Sequence, residues 1–179
     1  RKLTTLKKTI SKEGYFTIAM EETECINGNE VSDILGVFRS EKSATEFMRK
    51  KATEHHLCEQ LLGIEKGRGA CFGSKIERCR GACMGKELAL AYNMRFTEAF
   101  YEKKIKNWPF EGAIQIKEFN TSIEKNDIFT IDKWCLVADD TRELIFDYDM
   151  YRILKNYIFD IKNQKKISSI PSADKNMMT

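Results

Sequence analysis

The sequence predicts an α+β fold: an antiparallel sheet, about three helices, and a helical segment carrying four clustered cysteines. Three observations carry this. Stretches of alternating apolar and polar residues, rich in strand formers, occur in both halves of the chain. Three longer stretches repeat apolar residues every three to four positions. Between the first two of these, Cys58, Cys71, Cys79 and Cys83 fall within 26 residues, and six of the ten glycines lie between Gly63 and Gly85. Glycine tolerates positive φ and close backbone approach, so this composition suits a chain folded tightly around a bound group.

Residues 1–12 are basic, with Leu3, Leu6 and Ile10 at helical spacing, and read as a short helix or the tail of an earlier element. Gly14 to Met20 reads as a strand, Asn27-Gly28 as a turn, and Gly36-Val37-Phe38-Arg39 as a short buried strand. Ser40 is a good N-cap for a helix whose stripe is Ala44, Phe47, Met48, Lys51, Ala52 and His55, running to about Cys58 or Leu62. A second helix starts near Lys86, with Leu88, Tyr92, Phe96 and Phe100 every four residues, and ends before Trp108-Pro109. Ala113 to Phe119 alternates as a strand with Ile114 and Ile116 on its buried face. It forms a hairpin with one long or two short strands over Asp127 to Ala138. The last helix spans about Asp147 to Ile161, capped by Asp147 or Asp149, with Tyr151, Leu154, Ile158 and Ile161 inward. The expected organisation is a strand region at 1–39 packing on the sheet, a helix–cysteine segment–helix at 40–106, the hairpin and last helix of the same domain at 107–162, and a disordered tail at 163–179.

At 179 residues the chain can bury a core without covalent staples. The longest apolar runs fall far short of the roughly 20 residues a membrane span needs. No basic-then-apolar start suggests export, so reduced thiols and a cytoplasmic location are expected. Net charge is only +3, too small to imply a nucleic-acid partner by itself. The basic excess is local: Lys66, Arg68, Lys75, Arg78, Arg80 and Lys86 face only Glu65, Glu77 and Glu87 in their stretch.

The cysteine spacing is C-x12-C-x7-C-x3-C. It is neither the paired-knuckle pattern of common zinc fingers nor a ferredoxin pattern. A four-thiolate site follows, with zinc and iron–sulfur both open; nearby Lys and Arg charges favour the deprotonated sulfur that either needs. Four unrelated buried cysteines is the plainer alternative, and it leaves the glycine crowding unexplained. Cys135, in Trp134-Cys135-Leu136-Val137, reads as a small core hydrophobe, and Cys25 has no partner nearby in sequence.

The stretches Leu57 to Phe72 and Arg78 to Lys86 resemble the region that follows the GIY-YIG nuclease domain in a bacterial family. Its members are the Cho-type relatives of the excinuclease C subunit and proteins that fuse a polymerase III epsilon-like 3′–5′ exonuclease to a GIY-YIG module. Gly36 to Ser40, Asn107 to Phe110, Asp132 to Cys135 and Asp149 to Leu154 are similar to the fused type, so the resemblance runs from about residue 35 to 155. It implies an iron–sulfur cluster of the four-iron (4Fe-4S) type held by Cys58, Cys71, Cys79 and Cys83. It also implies a DNA repair setting, with upstream GIY-YIG and exonuclease domains of the parent polypeptide as partners. The family's catalytic tyrosines, arginine, glutamate and exonuclease carboxylates match nothing in residues 1–179.

The expected function is therefore a non-catalytic accessory domain of a DNA nuclease, gripping DNA through Lys66, Arg68, Lys75, Arg78 and Arg80. The alternative is a zinc-stabilised protein-interaction module whose basic residues are merely solvated. A self-sufficient enzyme has least support, since no nucleophile–base pair is visible. His55-His56 could add a ligand but is not needed beside four thiols. Asp139-Asp140 and Asp147 with Asp149 suit turn and capping duties better than a two-metal site. Gly67-x-Gly69 lacks the Lys-Ser/Thr ending of a phosphate loop. Trp108-Pro109-Phe110 reads as a helix stop with buried aromatics.

Overall fold

A computed structural model describes residues 2–138 and 144–170. In chain order its elements are β1 (Leu3–Ile10), β2 (Phe16–Thr23), β3 (Ile26–Asn27), β4 (Ile34–Phe38), α1 (Glu41–His55), α2 (Phe72–Lys75), α3 (Ala89–Phe100), β5 (Ile114–Asn120), β6 (Lys125–Asp132), β7 (Cys135–Leu136), β8 (Ile145–Phe146), α4 (Tyr148–Phe159) and β9 (Ile167–Ser169), with 3-10 turns at Gly28–Asp33, Ala82–Met84 and Ile161–Lys166. This is the α+β class with antiparallel sheets and three long helices. The chain divides into two compact units: Arg1–Glu24 with Asp33–Ile105, and Cys25–Ser32 with Lys106–Thr179. The expected segmentation treated everything to residue 162 as one domain.

The first unit is built on a sheet in the order β2-β1-β4, antiparallel throughout. Leu3–Ile10 form a strand, and not the short helix that is one of the two readings of residues 1–12. β1 is central, paired along its whole length with β2 and on its other side with β4. Thr4, Thr5 and Leu6 are consecutively buried, which a strand covered on both faces allows and a one-sided helix does not. Ile10, assigned to the apolar stripe, is exposed. Ladder hydrogen bonds from two neighbours outweigh a weak local period.

Ser40 caps α1 as expected, its Oγ accepting from the Ser43 amide at 3.2 Å. Ala44, Met48 and Ala52 are buried on the expected stripe, and Lys51 lies along it with its ammonium 3.0 Å from Glu102. The helix stops at His55, earlier than expected, because His56 takes a left-handed conformation and turns Leu57 and Cys58 into the core. Arg95 of α3 seals that end: its Nε donates to the His55 carbonyl (3.0 Å) and an Nη to that of His56 (3.2 Å). The same guanidinium forks onto the Glu87 carboxylate just before α3. Tyr92, Phe96 and Phe100 are all buried, as their four-residue spacing predicted. Leu88 of the same expected stripe is exposed because the helix starts at Ala89, later than expected, with Leu88 at its N-cap. Asn93 ties α3 to the β1–β2 connection, accepting from the Phe16 amide (2.7 Å) and donating to the Gly14 carbonyl (2.9 Å).

The second unit holds a sheet in the order β7-β6-β5-β9 and the two-stranded pair β3-β8. The hairpin β5-β6 pairs Ile114 with Ile131 and runs to Asn120 opposite Lys125, with Ile114 and Ile116 on the buried face. Asp132 and Cys135 close a two-residue turn in which Lys133 and Trp134 both have positive φ (47° and 67°). That turn places Trp134 fully inside, its Nε1 donating to the Lys106 carbonyl (2.7 Å), with Trp108 and Tyr151 each edge-on to it at 5.1 Å. Asp147 caps α4 by accepting from the Met150 amide at 2.7 Å. Tyr151, Leu154 and Ile158 are buried, whereas Ile161 is exposed because the helix ends at Phe159. Residues 163–170, expected in a disordered tail, continue a 3-10 turn and form β9 on the edge of β5, with Ile167 opposite Ile116. Pairing with an open edge supplies what their polar composition lacks. Residues 171–179 and Asp139-Asp140 lie outside the described residues.

Candidate metal centre

The four cysteines are delivered by four local devices, all within the first unit. Cys58 follows the left-handed turn at His56 and sits between buried Leu57 and Leu62, its carbonyl accepting from the Leu62 amide (3.0 Å). Cys71 is the N-cap of the one-turn α2, its Sγ accepting from the Ser74 amide (3.2 Å). Cys79 is drawn in by the Gly73 carbonyl, which accepts from the amides of Arg78 (2.7 Å) and Cys79 (3.0 Å). Cys83 sits in the 3-10 turn between Gly81 and Gly85, both at positive φ. A side chain at Gly81 would meet Lys86 at 2.9 Å, and one at Gly73 would stand 3.4 Å from the Cys79 Cβ. The glycine crowding thus reflects turns and close approach around the thiols.

All four sulfurs lie within 4.8 Å of one another. None of the six cysteines is in a disulfide. Cys58 and Cys71 are fully buried, Cys79 is nearly so, and Cys83 is half-buried at the side where a shallow cleft, bordered by Tyr15, Leu61 and Glu87, opens. Unrelated core cysteines would not converge in this way. Backbone amides also point at the sulfurs: Gly81 donates to Cys79 (3.4 Å) and Cys71 to Cys83 (3.5 Å), beside the Ser74 donation to Cys71. Such donors stabilise negative sulfur, as a metal-thiolate site requires.

The electrostatics are those of crowded thiols. A hydrogen bond from Cys58 holds the Cys79 thiol down to about 5, helped by the Gly81 and Ala82 amides. That bond to Cys79, with burial, pushes Cys58 far up, and burial raises Cys71 to about 11. Cys79 thus forms a thiolate readily, whereas Cys58 and Cys71 keep their protons. A bound cation is what allows all four to ionise, with protons released as it binds. Four sulfurs, with no oxygen or nitrogen donor among the described residues joining them, fit a thiophilic metal or an iron–sulfur cluster.

His55 and His56 stand outside the sulfur group, holding their carbonyls to Arg95. Lys66, Arg68, Lys75, Arg78 and Arg80 are all exposed on the segments that carry the thiols, and among the described residues none enters an ion pair. Sequence reasoning missed three features. Glu65 accepts from the Phe72 amide at the start of α2 (3.0 Å), Arg95 and Glu87 form a half-buried pair, and Tyr92 is a buried phenol in the same core cluster as Cys58, Cys71 and Cys79. Only the last had a local signal, a tyrosine in an otherwise aliphatic and phenylalanine stripe. Phe72, 62% exposed, and Ile76 also stand outward among the basic residues.

Residues 9–102 match the family described as UvrC/Cho excinuclease, middle domain. The chain is 29% identical over 140 residues to the excinuclease Cho of Escherichia coli K12 and to that of Shigella flexneri, covering 72% of this chain and 47% of each relative. It is 32% identical over 135 residues to the Salmonella typhimurium LT2 protein of the same name, covering 68% and 45%. The chain therefore spans about half the length of the curated relatives it matches. No solved structure matches. With its match running from within β1 to just past α3, and so enclosing all four thiols, the chain belongs to the UvrC/Cho excinuclease middle-domain family.

Proposed function

We propose that this chain is a non-catalytic accessory region of a DNA repair nuclease, in which Cys58, Cys71, Cys79 and Cys83 hold a structural iron–sulfur cluster of the four-iron type and the surrounding basic residues engage DNA. The observation that carries the reading is the convergence of four thiols, with amide donors, in a family of excinucleases. The upstream GIY-YIG and exonuclease domains of a parent polypeptide would supply catalysis, and a reducing cytoplasm would keep the thiols available. Lys66, Arg68, Lys75, Arg78 and Arg80 would contact phosphates without reading sequence. Exposed Phe72, pinned by Glu65 at the start of α2, offers an aromatic face to an unstacked base.

One geometric feature favours a second reading, a mononuclear zinc site. A tetrahedral zinc–sulfur site has sulfur–sulfur edges of ~3.8 Å from its bond lengths, close to the 4.8 Å limit found here. A four-iron cube places its thiolates farther apart. In that reading the unit is an interaction module and the basic residues are solvated.

Two experiments decide. Metal and acid-labile sulfide analysis of protein purified without oxygen should give about four irons and four sulfides per chain; one zinc without sulfide transfers the site to the second reading. Duplex and single-stranded DNA affinity should fall with salt, and R78A/R80A should flatten the slope by roughly two phosphate contacts. Binding that is absent, or unaffected by these substitutions, removes the DNA role assigned to this surface.

A further inference from the structure

The four thiols are not equally accessible. Cys58 and Cys71 are fully enclosed and Cys79 is 7% exposed, whereas Cys83 is half-buried. Cys83 borders a cleft of about 590 Å³ whose walls include Glu13, Tyr15, Leu61, Glu87 and Ala89. Two of these walls are tied together. The Tyr15 hydroxyl donates to the Glu87 carbonyl, joining the β1–β2 connection to the approach to α3. Asn93 reinforces that tie through the Gly14 carbonyl and the Phe16 amide. The turn that carries Cys83 faces open space instead: Met84 is 39% exposed, and a side chain added at Gly85 would meet nothing within 4 Å.

The charged side chains lining the cleft are both acidic. The Glu87 carboxylate is forked by Arg95, so the charge left to act on an approaching cation is that of exposed Glu13. A cation entering from water meets this carboxylate and then the Cys83 sulfur before any of the enclosed thiols. A site buried on its other sides is reached either along such a path or by local unfolding of the segment that holds it. We infer that this cleft is the path by which a thiophilic divalent cation reaches and leaves the four thiols, with Cys83 its first and last protein ligand and Glu13 drawing it to the mouth. The inference rests on the metal-site reading above, and it gives the four cysteines an order that their spacing does not contain.

The test follows zinc uptake and loss in time, with a chromophoric chelator, on metal-free protein prepared under reductant. Iron loss after reconstitution with iron and sulfide is read in the same way. Ala89→Phe puts a ring where a methyl now lines the cleft. It should slow uptake and loss by the same factor and leave zinc affinity unchanged, because a narrowed path acts on both directions alike. Glu13→Lys reverses a charge at an exposed position, where substitutions cost little stability, and so serves even if the ring disturbs folding. It should slow uptake about 10-fold at low salt, with the difference vanishing at high salt. Glu98→Lys is the control: the same charge change in a separate groove, beside Met94 and Tyr101, should leave both rates alone. Rates unchanged in both Ala89→Phe and Glu13→Lys, or loss that quickens in Ala89→Phe, overturn the route and leave entry to local unfolding. Equal slowing by Glu98→Lys reduces the Glu13 effect to net charge and overturns its part. If the wild type itself takes up neither zinc nor iron, the metal-site reading has failed and the inference falls with it.

Discussion

Residues 57–86 and the β5–β7 region satisfy their backbones in opposite ways. The β5–β7 region is a hydrogen-bonded ladder closed by a tight turn, with Trp134 packed into an aromatic group. The cysteine segment has one short helix and one 3-10 turn, and several of its amides donate to sulfur. A ladder supplies its own acceptors at every residue. The cysteine segment depends on sulfur, and sulfur accepts strongly only when ionised. One region carries its stability in the chain, while the other, in the function proposed above, would draw much of it from a bound metal.

The largest test of that contrast is Cys71→Ser, which removes a proposed ligand while leaving a hydroxyl able to cap α2. Loss of a metal is among the few changes that exceed about 4 kcal/mol, and amide protection over residues 57–86 should collapse accordingly. Both tryptophans lie in the second unit, so their fluorescence reads that unit separately. It should unfold within about 1 kcal/mol of the wild type; a matching collapse there would break the comparison. Trp134→Ala runs the contrast in reverse. Deleting that fully buried ring should cost the second unit about 3–5 kcal/mol by denaturant titration while metal content per folded chain stays unchanged.

The smallest effects come from the helix caps. Ser40→Ala on α1 and Asp147→Ala on α4 should each cost about 1 kcal/mol. Chelator should enlarge the first effect and leave the second unchanged, because α1 leads directly into Cys58. Equal sensitivity of both caps to chelator would show that the two regions do not differ in their dependence on a bound group.

Much of this was legible beforehand because it is local. Ser40 and Asp147 announce caps, Tyr92, Phe96 and Phe100 announce a buried face, and the four cysteines announce their chemistry by density alone. Leu3–Ile10 misled because their strand state comes from neighbours on both sides. Residues 163–170 misled for a related reason: β9 forms on an edge that β5 provides. The end of α1 was misjudged because the guanidinium that seals it lies 39 and 40 residues away in the chain.

Taken alone, then, the sequence determined the class of fold, the capped starts of α1 and α4 and the identity of the four thiols, since capping, period and ligand chemistry act over a few residues. Only the tertiary structure decided that those thiols converge within 4.8 Å, that Arg95 and Glu87 close the turn leading to them, and that the Tyr92 hydroxyl is left without a partner. These are contacts between segments far apart in the chain, where distance and burial are set by packing and no local pattern records them.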